Sequence, residues 1–468
     1  MKKGVIYIVA ALTMMIGACK NDQIEPKDTQ GSWSGTLDVG VPLRLVINLS
    51  SSGDSLMATM DSPDQGTYGI PAGPVTITGN NIVIAVESIA GEFAGKFVND
   101  TLIRGTWSQA GSSFPLTVVK GAKVPDLRRP QEPMEPFPYI VGEYSFRNDI
   151  FDIELAGTLT IPEGEGPFKT VIMITGSGPQ NRDEELMGHK PFLVIADYLT
   201  RNGIAVLRYD DRGVGASEGY YDSATSADLA TDVAAAFNFL KTVSVVDTLN
   251  IGLIGHSEGG LIAPMVASDN KEVAFIVSLA GPGVNGMDVI IRQSEDISRL
   301  MGLKQKRIDR SMAVNREIYN IILNEPDNET ASAKVEEYLR GYLKKRLIFK
   351  KLVDIQVKAT MASMTPDAIA WLRFFFQTDP YNYWSKVDCP VLALNGDKDL
   401  QVASAVNLPA IVSAVKSGGN ERVEGIELPG LNHLFQHSET GNPNEYGSID
   451  ETFSPEVLDI IANWINSL

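Results

Sequence analysis

The hydrophobic positions follow two different patterns along the chain. Between residues 31 and 120, short apolar runs such as 43–49 and 82–86 are separated by Gly, Ser, Asn and Asp clusters at hairpin spacing. Because no helical period is present, this part predicts a small antiparallel β domain, either a sandwich or a barrel. The Gly/Trp segment at 31–35 is echoed at 105–107, which suggests that these two segments pair as the first and last strands of a closing sheet.

Beyond residue 139, continuous apolar runs alternate with helical segments. In one of these segments Leu229, Val233, Phe237 and Leu240 fall on one helical face. Buried apolar strands that alternate with helices predict an α/β fold, in which a doubly wound, mostly parallel sheet is covered on both sides. The strands are expected at 170–175, 204–209, 251–254, 273–279, 391–394 and 423–428, and helices at 192–202 and 455–465.

One long helical stretch interrupts this alternation. Residues 287–375 contain interspersed Lys, Arg and Glu and almost no strand signal. An insertion at this point of an α/β chain would lie over the carboxyl ends of the strands, where such sheets bind ligands. We therefore expect residues 287–375 to form a helical cap.

A proline-rich segment separates the two patterns. Residues 121–138 contain four prolines between Pro130 and Pro138, and such a composition stiffens the chain towards polyproline II. We interpret 121–138 as a semi-rigid linker between the β domain (31–120) and the α/β domain (139–468).

The first residues have the features of a targeting signal. Lys2 and Lys3 precede an apolar run of about 15 residues, too short for a membrane-spanning helix of about 20. The sequence predicts a signal peptide at 1–18. The run ends in Ile-Gly-Ala-Cys, which resembles the lipobox of bacterial lipoproteins, where the chain is cut before the cysteine and the cysteine is acylated. The alternative is an ordinary secretory signal in which Cys19 is incidental.

The lipobox resemblance implies a lipid-anchored protein of the cell envelope that faces the periplasm or the cell exterior. Cys19 would carry the lipid, and the polar residues 19–30 would form a tether from the membrane. Cys389 would be the one thiol left in the mature chain. Because an apolar run follows it directly, we expect Cys389 to be buried and unreactive.

The composition limits the classes of function. Of 468 residues, 58 are Asp or Glu and 40 are Lys or Arg, a net charge of −18 that argues against a nucleic-acid partner. Two cysteines cannot form a disulfide framework or a Cys-rich zinc site. The four histidines are few enough for a catalytic base to be sought by elimination.

Two segments match the pattern G-x-S-x-G, and they place Ser217 and Ser257 at its centre. The pattern presents a serine for catalysis when a strand ends abruptly and a helix begins, because the sharp turn exposes the hydroxyl above the sheet. Ser257 follows the predicted strand at 251–254 and precedes a helical segment. Ser217 lies between a turn and a loop-like segment. Ser257 is therefore the predicted nucleophile.

A serine hydroxyl needs a base within hydrogen-bond reach. His256 is adjacent to Ser257, and neighbours on a sharp turn point apart. His189 lies in the loop after the first strand of the α/β domain. His433 lies in the loop between the last predicted strand and the final helix, and His437, four residues on, is the alternative in the same loop.

These residues, taken together, resemble the α/β-hydrolase superfamily across residues 139–468. More narrowly they are similar to bacterial esterases and serine aminopeptidase-like hydrolases that carry an extra N-terminal domain. The segments that carry the resemblance are 175–183 (TGSGPQNRD), 209–215 (YDDRGVG), 255–260 (GHSEGG), 394–399 (LNGDKD) and 432–433 (NH).

The order of catalytic residues in this superfamily is nucleophile, acid, base, which places the base in the loop after the last predicted strand. His433 is the predicted base, with His437 as the alternative. Asp397 and Asp399 compete as the acid, and Asp399 is favoured because its spacing from the preceding glycine is that of the acid turn in α/β-hydrolases. The oxyanion would be bound by the backbone N–H of Glu258, directly after the nucleophile, and by that of Ser177 in the loop after the first core strand.

The resemblance implies a serine hydrolase that forms an acyl-enzyme on Ser257 and needs no metal or cofactor. The leading prediction is a carboxylesterase for small or medium acyl esters. The alternative is a serine exopeptidase, in which a cap acid such as Glu295 or Asp296 would hold the substrate's α-ammonium. A third hypothesis is a non-catalytic surface binding protein that acts through its β domain.

Overall fold

A computed structural model describes most of the chain: residues 29–38, 42–53, 55–63, 67–109, 112–122, 129–346 and 350–468. The predicted signal peptide at 1–18 and Cys19 lie outside the described residues. No helix within these ranges is long and apolar enough to cross a membrane.

The N-terminal part forms one antiparallel sheet of nine strands. The strands are β1 (Gly31–Asp38), β2 (Pro42–Ser52), β3 (Ser55–Ser62), β4 (Thr67–Ala72), β5 (Val75–Thr78), β6 (Asn81–Val86), β7 (Gly91–Asn99), β8 (Leu102–Gln109) and β9 (Ser112–Lys120). Their order is β4-β3-β2-β1-β9-β8-β7-β6-β5, so that neighbours in sequence are neighbours in the sheet and β1 joins the last strand.

The sheet curls until its edges meet: β4 lies against β6, and the Gly73 N–H donates to the Ala85 carbonyl over 2.7 Å. The inward-facing side chains form a single core, in which Trp33, Phe93 and Trp107 are almost fully buried. Burial of alternate residues along each strand is what the short apolar runs of this part predict.

The expected pairing of the two Gly/Trp segments is wrong. β1, which carries Trp33, pairs with β9 through Ser34 and Val119, whereas Trp107 lies on β8. β8 and β9 form a hairpin, which places β8 one strand further from β1. The first and last strands do pair, but the last strand carries no tryptophan.

The second sheet has eight strands. They are β10 (Ile140–Asn148), β11 (Ile153–Ile161), β12 (Phe168–Ile174), β13 (Ala205–Tyr209), β14 (Val246–His256), β15 (Ile276–Leu279), β16 (Val391–Gly396) and β17 (Val423–Leu428). In the order β10-β11-β13-β12-β14-β15-β16-β17, the first three strands pair antiparallel and the remaining pairs are parallel. The sequence pattern did not reveal the two antiparallel strands β10 and β11.

Helices cover both faces of this sheet, as expected for the α/β fold. The helices are α1 (Pro191–Arg201), α2 (Ser226–Leu240), α3 (Gly259–Asp269), α4 (Gly286–Leu300), α5 (Gln305–Asn324), α6 (Asn328–Lys344), α7 (Lys350–Met361), α8 (Pro366–Gln377), α9 (Tyr381–Trp384), α10 (Ser404–Ser417) and α11 (Pro455–Ser467). Helices α1 and α11 bury apolar residues against one face, and α2, α3 and α10 against the other.

Local signals in the sequence explain where several helices begin. Thr225 and Asp228 form a capping box at the start of α2, in which each side chain accepts from the other residue's backbone N–H. The predicted helical face of α2 is buried, with Leu229, Val233 and Phe237 in the core. At α8, the Thr365 side chain accepts from the Ala368 N–H and a proline occupies the first turn.

Helices α4 to α8 form the cap between β15 and β16. They share a hydrophobic core of their own, to which Ile322, Ala331, Val335 and Ile369 contribute fully buried side chains. Leu261 and Met265 of α3 belong to the same core, which joins the cap to the sheet's helices.

The proline-rich segment is fastened to the α/β domain. The Arg129 guanidinium donates to four carbonyl groups, those of Met187, Gly188, Gly447 and Ile449. One side chain thus ties the linker to two loops that are far apart in sequence.

A buried ion pair holds the turn after β13. The Arg212 guanidinium makes two hydrogen bonds of 2.8 Å to the Asp232 carboxylate on α2, and both side chains are almost fully buried. Asn148 on β10 donates to the same carboxylate. The pair therefore joins this turn to a helix and to the sheet edge.

We expect Arg212→Leu to lower the free energy of unfolding of the α/β domain by about 3–5 kcal/mol, because it leaves the Asp232 carboxylate buried without its cation. Arg147→Leu is the matched control: Arg147 pairs with Asp152 and Glu154 at the exposed surface, and its loss should cost less than about 1 kcal/mol. Urea denaturation followed by circular dichroism measures both, and equal effects of the two substitutions would contradict the expectation.

Candidate active site

Ser257 lies in a sharp turn between β14 and α3. Its backbone φ is +52°, a left-handed conformation that is rare for residues other than glycine. The Ser257 N–H donates to the carbonyl of Leu279 on the neighbouring strand over 2.9 Å. A strained conformation held by its surroundings is typical of a functional residue.

The glycines of the GHSEGG segment are required by close backbone contacts. A Cβ on Gly255 would lie 2.0 Å from the Gly259 carbonyl oxygen, and one on Gly259 would lie 2.2 Å from that of Ile174. A Cβ on Gly260 would lie 2.6 Å from the Cα of Gly281. No side chain fits at these three positions, because real Cβ atoms do not approach backbone atoms so closely.

Ser217, the serine of the second G-x-S-x-G segment, has a structural role. Its hydroxyl donates to the Asp210 carbonyl over 2.6 Å and accepts from the Ala156 N–H over 2.9 Å. The hydroxyl therefore acts as both a donor and an acceptor, and these bonds fasten the turn to β11.

His433 and Asp399 form a buried pair. The His433 Nδ1 lies 2.7 Å from the Asp399 Oδ2, and both side chains are almost fully buried. The other oxygen of Asp399 accepts from the backbone N–H groups of Gln401 and Val402. These bonds hold the carboxylate against Nδ1, and Nε2 is the imidazole nitrogen that Asp399 leaves free.

Asp397, the competing acid, lies elsewhere. It is exposed, and its Oδ1 accepts from the Gly430 N–H over 2.7 Å. The structure thus brings His433 together with Asp399 and not with Asp397.

The other three histidines have different partners. His437 is exposed and pairs with Glu451. His189 is buried, and its ring nitrogens bond to the Thr452 hydroxyl and the Tyr446 carbonyl. His256 bonds through Nδ1 to a glutamate and through Nε2 to a carbonyl, so neither nitrogen is left to accept a proton from serine.

Two backbone amides next to the nucleophile have no acceptor among the described residues, those of Ser177 and Glu258. The flanking amides in the first loop are engaged: the Gly176 N–H donates to Glu184, and the Gly178 N–H to the Tyr221 hydroxyl. Unpaired N–H groups at this position can bind an oxyanion.

A cavity of about 350 Å³ contains these groups. Gly176, Ser177, Ser257, Glu258 and His433 are among its lining residues. Its apolar wall comes from the core loops and from the cap, and comprises Leu186, Val289, Ile290, Phe375, Val402 and Leu434.

Sequence reasoning missed a link between the cap and the nucleophile turn. The Glu258 Oε1 accepts from the Trp371 indole N–H on α8 over 2.8 Å and from the Ser226 hydroxyl over 2.5 Å. Trp371 stacks on Phe375, and both rings line the cavity. The sequence gave one signal for this link. Glu258 is an acidic residue directly after Ser257, and its side chain can accept a hydrogen bond from a donor on the cap.

Cys389 is free and half-buried, and burial raises the pKa of its thiol to about 12. At neutral pH the thiol is protonated, so it is a poor nucleophile.

A serine in a sharp strand–turn–helix junction, an Asp–His pair at the ends of later strands and a mostly parallel sheet under a helical cap are the features of an α/β-hydrolase. Residues 190–434 match the family described as serine aminopeptidase, S33. The chain belongs to this family and is a hydrolase.

The chain is similar to several proteins of known name or structure. Esterase EstD of Thermotoga maritima is 25% identical over 337 residues, which cover 70% of this chain and 69% of that protein. An acyl transferase of Vibrio harveyi is 32% identical over 123 residues, 26% of this chain and 37% of its own length. The crystal structure of the Pyrococcus furiosus esterase Pf2001 has a TM-score of 0.41 at 16% identity and covers 70% of this chain and 93% of that one.

Substitution of each aspartate in turn tests whether Asp399 or Asp397 is the catalytic acid. We expect Asp399→Asn to lower kcat by about 10³–10⁴-fold, because the amide no longer stabilises the protonated imidazole or its tautomer. Asp397→Asn is the control and should retain most of the activity. Steady-state kinetics on an ester substrate measure both, and a greater loss in Asp397→Asn would reassign the acid.

His189 should make the fold sensitive to acid. Burial, together with the charge of Arg129, lowers the pKa of His189 from 6.5 to about 4. Between pH 6.5 and 4 the unfolded chain binds a proton that the folded chain does not, so stability falls as the pH falls, by up to about 1.4 kcal/mol per pH unit.

We therefore expect His189→Asn to make the melting temperature less dependent on pH in this range. His437→Asn, at an exposed histidine, is the control. Thermal denaturation at pH 4.5, 5.5 and 7 checks the expectation, and the same slope in His189→Asn as in the unaltered protein would refute it.

Proposed function

We propose that the protein is a serine carboxylesterase that cleaves small or medium acyl esters through an acyl-enzyme on Ser257. The observation that carries the proposal is the buried pair of Asp399 and His433, 2.7 Å apart, in the same cavity as Ser257. A histidine oriented by a carboxylate is the base that a serine nucleophile needs.

In the proposed reaction the Ser257 hydroxyl attacks the ester carbonyl, and His433 takes its proton through Nε2. The N–H groups of Ser177 and Glu258 stabilise the oxyanion of the tetrahedral intermediate. His433 then protonates the departing alcohol, which leaves the acyl group on Ser257. Water, deprotonated by His433, releases the acid and restores the serine.

The cavity wall supports an apolar acyl group of limited size. Its apolar residues come from both the core and the cap, and its polar lining includes Ser257, His433 and the side chains of Gln180, Gln293 and Gln401. Such a lining suits an ester, whose carbonyl requires polar contacts and whose acyl chain gains from burial. The similarity to a protein named an esterase over two thirds of its length supports the same choice.

A second candidate, a serine aminopeptidase, is favoured by one observation. The Glu258 Oε2 is buried and has no hydrogen-bond partner among the described residues, and a buried carboxylate oxygen could receive a substrate ammonium group. The cap acids Glu295 and Asp296 fit that role less well. Neither lines the cavity, and Asp296 is paired with Arg292 and Arg299.

A substrate panel separates the two functions. We expect hydrolysis of p-nitrophenyl butyrate and none of aminoacyl or dipeptidyl nitroanilides, and the converse result would establish the peptidase. Ser257→Ala should abolish both hydrolysis and labelling by a fluorophosphonate probe. Ser217→Ala is the matched control at the other G-x-S-x-G segment: it should label normally and lose only about 1 kcal/mol of stability through its hydrogen bonds.

We also infer that the enzyme is a lipid-anchored protein of the cell envelope. Lys2, Lys3, the apolar run that follows and Cys19 support this inference, since together they have the form of a lipoprotein signal. The partner at the active site would be a small acyl substrate, and the acidic composition argues against nucleic acid.

A further inference from the structure

A second carboxylate–histidine pair lies beside the proposed catalytic one. Glu184 is buried in the loop between β12 and α1, and its Oε1 lies 2.9 Å from the Nδ1 of His256. The same oxygen accepts from the Gly176 N–H over 2.7 Å. The backbone φ of Glu184 is +50°, so the loop holds this residue in an unfavourable conformation.

His256 continues the chain of contacts to the base. Its Nε2 lies 3.0 Å from the backbone carbonyl oxygen of His433, and the two imidazole rings are 4.8 Å apart. A carbonyl oxygen can only accept, so the His256 Nε2 carries a proton. The bond between Nδ1 and Glu184 requires a second proton.

The pair therefore holds two protons and has no net charge, whether the second proton lies on the imidazole or on the carboxyl group. Because the Glu184 Oε1 also accepts from Gly176, the arrangement favours a carboxylate and an imidazolium. Loss of either proton would break one of the two bonds that His256 makes.

Three parts of the site meet at this pair. Gly176 precedes Ser177, the proposed oxyanion donor, and a Cβ at Gly176 would lie 3.2 Å from the Ser257 Cβ. His256 directly precedes the nucleophile. The carbonyl that His256 holds belongs to His433, the proposed base.

We propose that Glu184 and His256 act as one positioning unit, which fixes the oxyanion loop and the His433 loop against the nucleophile turn. The inference rests on the proposed function and adds to it two residues that touch no reacting atom. It explains why the residue before the nucleophile is a buried histidine with both nitrogens occupied.

The electrostatics of the pair agree with this role. Burial opposes the charged form of His256, but the charge of Glu184 and its hydrogen bond, with the His433 carbonyl and the charge of Asp399, outweigh burial and raise the pKa of the imidazole. The titratable groups that face His256 are Glu184, His433 and Asp399. Without Glu184, His256 would lose its proton at a lower pH.

The test compares Glu184→Gln with Glu185→Gln, which changes the adjacent, exposed glutamate of the same loop. The glutamine keeps an acceptor for the Gly176 N–H but cannot hold an imidazolium. We expect kcat on p-nitrophenyl butyrate to fall by about 10–100-fold with little change in KM, because small displacements of reacting groups have effects of this size. Glu185→Gln should match the unaltered enzyme.

The pH profile distinguishes positioning from general destabilisation. In Glu184→Gln the alkaline decline of kcat should begin at a lower pH than in the unaltered enzyme, because His256 gives up its proton sooner. A loss of kcat by the same factor at every pH, or a kcat equal to that of Glu185→Gln, would overturn the proposal.

His256→Gln provides a second variant, which tests the proposal alone should Glu184→Gln not fold and within a double variant should it fold. It should lower kcat to a similar extent, and the double variant should be no worse than the more affected single variant, because the two residues act together. If the loss of kcat in the double variant equals the product of the two single losses, the two residues act independently and the proposal is overturned.

The rate of labelling by a fluorophosphonate probe gives a readout that does not depend on the natural substrate. Slower labelling of Glu184→Gln than of the unaltered protein is expected. Normal labelling of both would overturn this inference alone. Absence of labelling in the unaltered protein would overturn the proposed function and this inference with it.

Discussion

The site depends on one steric constraint, the close approach of four backbone segments at the turn that carries Ser257. Gly255, Gly259 and Gly260 leave room for the neighbouring carbonyls and for Gly281, at distances where any Cβ would overlap. The Ser257 N–H is bonded to the Leu279 carbonyl, and the serine has a left-handed conformation in the turn after β14. With the nucleophile held in this way, every other group in the cavity has to be placed relative to it.

The burial of each titratable side chain and the group to which it is hydrogen-bonded then determine what that side chain can do. Asp399 and His433 are bonded through Nδ1, which leaves Nε2 of His433 without a protein acceptor or donor among the described residues. His256 has the same kind of carboxylate partner but gives its other nitrogen to a carbonyl, so it can only hold its neighbours in place. In the proposed function, identical side chains thus serve the reaction in one case and positioning in the other.

The cap shapes the cavity without adding a charged group to its base. Its core is apolar and continuous with that of α3, and Trp371 reaches down to the Glu258 carboxylate beside the nucleophile. The cap contributes Val289, Ile290 and Phe375 to the apolar wall of the cavity. The shape of the cavity therefore depends on how the cap helices pack, whereas Ser257, His433 and Asp399, the proposed catalytic residues, lie at the ends of strands of the sheet.

By itself, the sequence determined the α/β class, the parallel strands and the cap, because hydrophobic periodicity and glycine spacing are local properties. It also put forward Ser257, Asp399 and His433 as candidate site residues, since motifs at strand ends keep their order along the chain. It did not predict β10 and β11, in which the alternation of apolar and polar residues is weak. It also placed Trp107 on the last strand of the β domain, because the hairpin that pairs β8 with β9 could not be seen in the sequence. Tertiary structure alone decided that Glu184, 72 residues from His256, is its partner, and that Trp371 is bonded to Glu258. Such contacts join segments that have no periodic relation, so they arise only when the packed sheet and cap bring these segments together.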